Sequence, residues 1–351
     1  MMAALTALSP TSRVEDRAAS RPVPWHRMAW VTWRQHRAAL GGVVAFLAVV
    51  SGYLWSTGLT LHHDYGSVLA CRPVNSSVCF ERTSGFNGIA NFLSNGFILQ
   101  VVPALVGAFL GAPILARELE TGTFRYAWTQ GLGRWRWTMA KLVGLGSVVV
   151  VLAGAMSLVI SWYFQPYFGA RNFSLSLAQV PSLAPGVFTV RGPAFAAWTL
   201  AAFAIGCLAG LLIRRVVPAI VTTLAVYAAL AAAAGGLLRQ HYATPLASTA
   251  LKTFSTAWVL SQQWLVHGRP VSEGALDAAL SHAGSNVAGK GGVPFSLAAW
   301  RYLAHHGFTR LTTYQPASRF WSFQLIETGW LLALSALCVT ATVWLVRRRV
   351  A

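Results

Sequence analysis

The chain has 351 residues, of which 55% are hydrophobic and only 10% charged, with a mean hydropathy of +0.53. Soluble globular domains carry about 25% charged residues, so the composition excludes an ordinary soluble enzyme and points to a membrane protein. A formal net charge of +18 with a pI near 11.0 would suggest a nucleic-acid binder in a soluble chain, but no RNA- or DNA-reading motif is present and the basic residues flank apolar runs, where they act as topology signals.

Residues 1–38 are basic and precede an apolar run of about 20 residues without a small-residue cleavage pattern, so they read as a retained tail. Within them, WHRMAWVTWRQHR (25–37) puts Trp25, Met28, Ala29 and Trp33 on one helical face and Arg27, Arg34 and Arg37 on another. That is the pattern of a helix lying in the headgroup layer. Six apolar stretches follow, each long enough for a bilayer core that needs about 20 residues: 39–59, 96–116, 142–164, 193–213, 216–238 and 329–346. None contains Asp, Glu, Lys, Arg or His. Arg214 and Arg215, followed by Pro218, separate the fourth from the fifth as a tight surface hairpin, because one helix over 193–238 would be roughly 69 Å long at about 1.5 Å per residue. The fold class is therefore all-α: a polytopic membrane protein with an N-terminal interfacial helix in the 1–38 tail and a six-span domain over 39–351.

Six spans put both termini on one side. That side holds 16 of the 27 Lys and Arg in the shorter loops, so the positive-inside rule places both termini in the cytoplasm. On the opposite side, Cys71 and Cys79 in CRPVNSSVC are a candidate disulfide in an oxidising environment, pending the Cα separation that geometry demands. The long segment 239–328 reads as a helical extracytoplasmic cap, with STAWVLSQQWLVH and GALDAALSHA as its short helices. Gly107 with Gly111, and Gly206 with Gly210, form G-x-x-x-G pairs that permit close helix packing, inside one subunit or at a dimer interface.

Catalytic constellations are weak. GSNVAGK (284–290) has the spacing of a phosphate-binding loop, but Gly291 stands where Ser or Thr should hold magnesium and no strand precedes it. His62, His63, Asp64, His305 and His306 lack metal-ligand spacing and read as solvated loop residues, so no metal site is assigned. Empty spans also argue against a proton- or sodium-coupled pump, which places ionisable groups at membrane depth. Energy for uphill transport would then come from another protein.

One short segment stands out. In the loop 117–141, Gly122 breaks the helix continuing from the second span, and Thr123 can cap a new one whose Phe124 and Trp128 share a face until Gly131 ends it. Glu118 and Glu120 lie just ahead, able to favour its N-terminus or pair with a partner's Arg. Arg134, Arg136 and Trp137 read as interface anchors of the third span.

The segment ARELETGTFRYAWTQGLGRWRW, followed by Lys141 and a span, resembles the first cytoplasmic loop of actinobacterial ABC transporter permeases of the type-2 exporter class. YQPASRFWSFQLIETG (314–329), before the last span, is similar to that group as well. The resemblance implies a permease without an ATPase site or cofactor of its own, paired with a second permease copy as homodimer or heterodimer. ATP and magnesium would sit on a separate ABC ATP-binding subunit. It implies a coupling helix made by Glu118, Glu120, Thr123, Phe124, Arg125 and Trp128, with Arg214 and Arg215 as a minor second contact. The expected function is ATP-driven export of a hydrophobic or amphipathic compound. A non-transporting membrane anchor or sensor with a ligand-binding outer cap is the alternative, and a secondary transporter a further one.

Overall fold

The computed structural model describes residues 25–71, 77–94, 97–122, 134–169, 181–249, 257–282 and 303–349. In chain order the helices begin with α1 (Trp25–Ala70), α2 (Ser77–Ser94) and α3 (Phe97–Val106), which runs through a π-helical turn, Gly107–Gly111, into α4 (Ala112–Thr121). Next come α5 (Arg134–Tyr163), α6 (Gln165–Gly169), α7 (Pro185–Phe188), α8 (Gly192–Ile213) and α9 (Val216–Ala233), which ends in a π turn, Ala234–Leu238, and a 3-10 turn, Arg239–His241. A small sheet then forms from β1 (Leu246–Ser248), β2 (Trp258–Val266), β3 (Arg269–Pro270) and β4 (Phe308–Gln315), with α10 (Glu273–His282) between β3 and β4. The final helix is α11 (Phe320–Arg349).

Among the described residues, six helical segments are long and apolar enough to cross a membrane, and each overlaps one of the apolar stretches of the sequence. α8 is their centre, packing on α3 and α4, α5, α9 and α11. Its residues Ala201, Ala202, Phe203, Ala204, Gly206 and Cys207 are all buried, as expected of a helix that is apolar on every side. The two G-x-x-x-G pairs pack on each other within this one chain. A side-chain carbon at Gly107 would lie 2.6 Å from the carbonyl oxygen of Ala202, and one at Gly111 would lie 2.6 Å from that of Phe203. From the other side, Gly206 abuts the Gly107 carbonyl and Gly210 that of Ala112. Spans two and four thus meet backbone to backbone, the approach that only glycine permits.

At its start, α1 departs from the sequence reading. Residues 25–37 run into the first span without a break, in one helix of 46 residues. Met28, Thr32 and Leu40 are the buried positions, whereas Trp33 is 54% exposed. The packed stripe therefore follows i, i+4 steps through Met28 and Thr32, whose hydroxyl donates to the Met28 carbonyl oxygen at 2.9 Å, and Trp33 faces outward with Trp30 and Arg34. At its far end α1 runs on to Ala70. There Cys71 is bonded to Cys79 of α2, with Cα atoms 5.8 Å apart, so the two helices form a stapled hairpin. Constraining so short a loop in the unfolded chain is worth about 2–3 kcal/mol. The pair Cys71→Ser, Cys79→Ser is accordingly expected to lower Tm, and adding reductant should lower wild-type Tm by the same amount without changing the double variant.

The segment between spans five and six corrects the expectation of a helical cap. GALDAALSHA lies largely within α10, but STAWVLSQQWLVH supplies β2 instead of a helix. Its Trp and Val content suits a strand, and β4 offers it a partner more than 40 residues later. β2 and β4 pair antiparallel from Trp258↔Gln315 to Val266↔Phe308, with an irregularity between Val259 and Ser261. Sheet order is β1-β4-β2-β3. GSNVAGK, with Gly291, lies outside the described residues.

Candidate functional site

Two polar clusters occupy opposite ends of the bundle. At the loop end, α4 stops at Thr121, and Gly122 takes the left-handed conformation (φ 70°) that closes a helix C-terminus. Glu118 accepts a hydrogen bond from Lys141 Nζ on α5. The Lys141 side chain is wholly buried, that of Glu118 only 19% exposed, and the ammonium also lies 3.6 Å from the centre of the Trp137 ring. Two residues on, Glu120 Oε2 accepts from the Val216 backbone N–H at 3.1 Å. That N–H belongs to the first turn of α9, where a carboxylate is favoured by the unpaired amides and the helix dipole. Ala112 and Ala116 of α4 pack beside it on Ala219 of α9.

The sequence offered Glu118 and Glu120 two roles, favouring the N-terminus of the following helix or pairing with a partner's Arg. The structure gives each a partner inside the chain, so α4, α5 and α9 are tied together at the base of the 117–141 loop. Arg214 and Arg215 are exposed in the hairpin next to this clamp. Arg214 adopts φ 59° and its N–H closes α8 on the Gly210 carbonyl oxygen, which makes the tight turn that the charge pair marks. Thr123, Phe124, Arg125 and Trp128 lie outside the described residues.

At the sheet end is a cluster that sequence reasoning missed. Glu327 of α11 is completely buried. Its Oε1 accepts from Trp198 Nε1 of α8 at 2.7 Å and from Arg239 Nη2 at 2.9 Å, while Oε2 accepts from Arg239 Nε at 3.1 Å and from the Tyr242 hydroxyl at 3.3 Å. Arg239 is equally buried, with Cζ 4.3 Å from the centre of the Phe188 ring, and Trp330 Nε1 donates to the Tyr242 hydroxyl at 2.9 Å. Burial and the adjacent Glu327 carboxylate push the Tyr242 phenol up to about 12, so it is a neutral donor at any physiological pH. Nearby, Gln324 bridges two backbones: its Nε2 donates to the Phe188 carbonyl oxygen at 2.9 Å and its Oε1 accepts from the Ala194 N–H at 3.0 Å.

Four charged groups stand just beyond the apolar stretches of the sequence. Glu118, Lys141, Arg239 and Glu327 all fall within the helical segments long enough to cross a membrane, as two pairs, one near each end. Opposite charges in hydrogen-bonding contact can be tolerated where a lone charge is not. The sequence signal for the second pair was the placement of Arg239 and Glu327 immediately outside apolar runs, beside Trp330.

Histidines near the sheet end do not converge. His62 Nε2 is 3.0 Å from the Trp162 carbonyl oxygen and its ring stacks on Trp162, while His63 is exposed beside Asp64. Among curated proteins and solved structures nothing matches this chain. A family model described as ABC-2 membrane transporter related matches residues 44–239, more than half the chain, ending on Arg239. With that match spanning five of its six membrane-crossing helical segments, the chain belongs to the ABC-2 membrane transporter related family and is a multi-pass membrane permease of the ABC transporter type.

Proposed function

We propose that this chain is the membrane-spanning subunit of a type-2 ABC exporter, moving a hydrophobic or amphipathic compound outward on ATP hydrolysed by a separate subunit. Both termini and the loop end of the bundle face the cytoplasm in this reading, and two permease copies assemble with the ATP-binding subunits. Glu118, Glu120, Thr123, Phe124, Arg125 and Trp128 form the coupling segment, with Arg214 and Arg215 beside it.

The observation that carries the reading is the clamp at the base of the loop. A force applied to residues 122–133 reaches α4 and α5 directly, and reaches α9 through the Glu120 carboxylate on Val216. The Lys141 and Glu118 pair keeps α4 and α5 from splaying as the loop moves. A docked ATPase could thus shift three spans as a unit, as rigid-body transport motions require. In this division of labour, Phe124, Arg125 and Trp128 touch the ATPase and the two glutamates pass the displacement on.

The test is co-purification of the full chain with candidate ABC ATP-binding subunits. A stable complex whose ATP turnover rises with hydrophobic compounds supports the reading. Failure of any ATPase to associate, or efflux that persists without ATPase and collapses with the proton gradient, contradicts it.

A further inference from the structure

At the sheet end of the bundle, buried donors lack acceptors. Ser182 Oγ, Arg191 Nε, Arg239 Nη1 and Thr328 Oγ1 are buried without a hydrogen-bond partner among the described residues. Native proteins satisfy nearly all such groups, by water or ligand where protein atoms do not. The two guanidinium nitrogens can only donate, whereas the hydroxyls can donate or accept. Two guanidiniums flank a pair of touching rings: Arg239 Cζ lies 4.3 Å from the centre of Phe188, Phe188 is 5.6 Å from Phe320, and Arg191 Cζ is 5.0 Å from Phe320 and 3.8 Å from Phe168. Glu327 is the carboxylate of this group, and it is bound to Arg239.

Arg191 is a half-buried cation with no carboxylate partner among the described residues. Ring contacts stabilise its charge but offer no acceptor to the in-plane N–H groups, which form a rigid fork suited to carboxylate or phosphate. Burial without a counter-charge holds its pKa down to about 10, so it is still cationic at neutral pH. Its position is fixed by the backbone on either side: Gln324 holds Phe188 and Ala194, and Gly192 turns the chain with φ 66°. The Phe320 ring meets Trp321, centres 5.4 Å apart, and Trp321 with Leu325 one helical turn on forms an apolar strip on the outer face of α11, 64% and 66% exposed. A cationic fork at the membrane boundary, next to an exposed apolar strip entering the bilayer, matches a ligand with a charged head and a greasy tail.

We propose that Arg191 binds the headgroup of an anionic amphiphile, a phosphate or carboxylate on an apolar chain that lies along Trp321 and Leu325. Binding is measured on the permease alone, so the outcome is separable from that of ATP-driven export. The full chain, purified in dodecyl maltoside, is titrated by thermal unfolding with dodecyl phosphate, dodecanoate and dioleoyl phosphatidylglycerol, with dodecylphosphocholine and dioleoyl phosphatidylcholine as zwitterionic controls. Anionic probes should raise Tm saturably. Arg191→Gln should weaken their apparent affinity about tenfold or more, the effect of losing a hydrogen bond to a charged group. Arg191→Lys should fall between, keeping charge without the fork, while Arg269→Gln at the exposed β3 turn should match wild type. Response to phosphatidylglycerol alone identifies a bilayer lipid as the source, and response to the single-chain probes identifies a cargo-sized amphiphile. Equal stabilisation by zwitterionic and anionic probes, or unchanged affinity in both Arg191 variants, overturns the assignment.

Discussion

Glu327→Ala is expected to be the most destabilising single substitution at a charged position of the bundle. It leaves the Arg239 guanidinium fully buried without a counter-ion and deprives Trp198 and Tyr242 of their acceptor. Breaking a buried ion pair from one side costs about 3–5 kcal/mol, since the surviving charge keeps its desolvation penalty. Glu327→Gln retains an acceptor for Trp198 but not the charge, and should fall between wild type and the alanine variant. The paired change Glu327→Leu, Arg239→Leu removes both charges, and should unfold at a higher temperature than either single leucine variant. Thermal unfolding of the five detergent-solubilised variants reads this directly, and additive losses in the pair would show that the two groups are not coupled.

The second large effect is steric. Gly206→Ala places a methyl group against the Gly107 carbonyl oxygen and the Ala112 nitrogen, and neither backbone can yield without separating spans two and four. Overpacking of a close interface costs about 1–3 kcal/mol, and Gly206→Leu should exceed that range. Gly144→Ala is the control. It lies in α5 with nothing within 4 Å of the added carbon, so the better helix propensity of alanine should leave stability unchanged or raise it by up to about 1 kcal/mol. The same thermal assay, with helix content followed by circular dichroism, separates the two. Should Gly206→Ala prove neutral, the backbone contact between α8 and the π turn would be refuted.

That contact gives the bundle its mechanical character. α8 is held rigidly against α3 and α4, and α4 ends at the clamp beneath the 117–141 loop. Displacement of the loop would therefore reach the central helix through backbone contact, with few side chains free to absorb it. The sheet-end pair closes the opposite end, linking α8, the end of α9 and α11 through one carboxylate.

Much of this arrangement was legible in the sequence, and the exceptions have physical causes. Uninterrupted apolar length located all six spans, because the bilayer thickness leaves little choice. The helices themselves run past the apolar stretches and take in the charges that stand near them. Glu118, Lys141, Arg239 and Glu327 read as boundaries when taken singly, and only folding shows that each is neutralised by a residue 23 or 88 positions away. The same distance effect hid the sheet, since WVLSQQWLV becomes a strand by pairing with FTRLTTYQ. At the start of α1, Met28 and Trp33 were read on one apolar face, whereas Met28 and Thr32 are the packed positions and Trp33 points outward. The acidic pair ahead of the loop was recognised as special, although its partners within the chain were not. Gly122 as a helix stop and Arg214 with Arg215 as a hairpin follow from local rules, and the structure contains both.

Coupling through the 117–141 loop is the central claim. Glu118→Ala tests it poorly, because loss of that carboxylate strands the buried Lys141 and could act through stability alone. Phe124→Ala with Trp128→Ala is the cleaner probe. In proteoliposomes containing the permease and its ATPase, the quantity to measure is compound exported per ATP hydrolysed. The double variant should lose most of the export and of the compound-stimulated ATP turnover while inserting and unfolding like wild type. Export and stimulated turnover at wild-type levels in that variant would contradict the account.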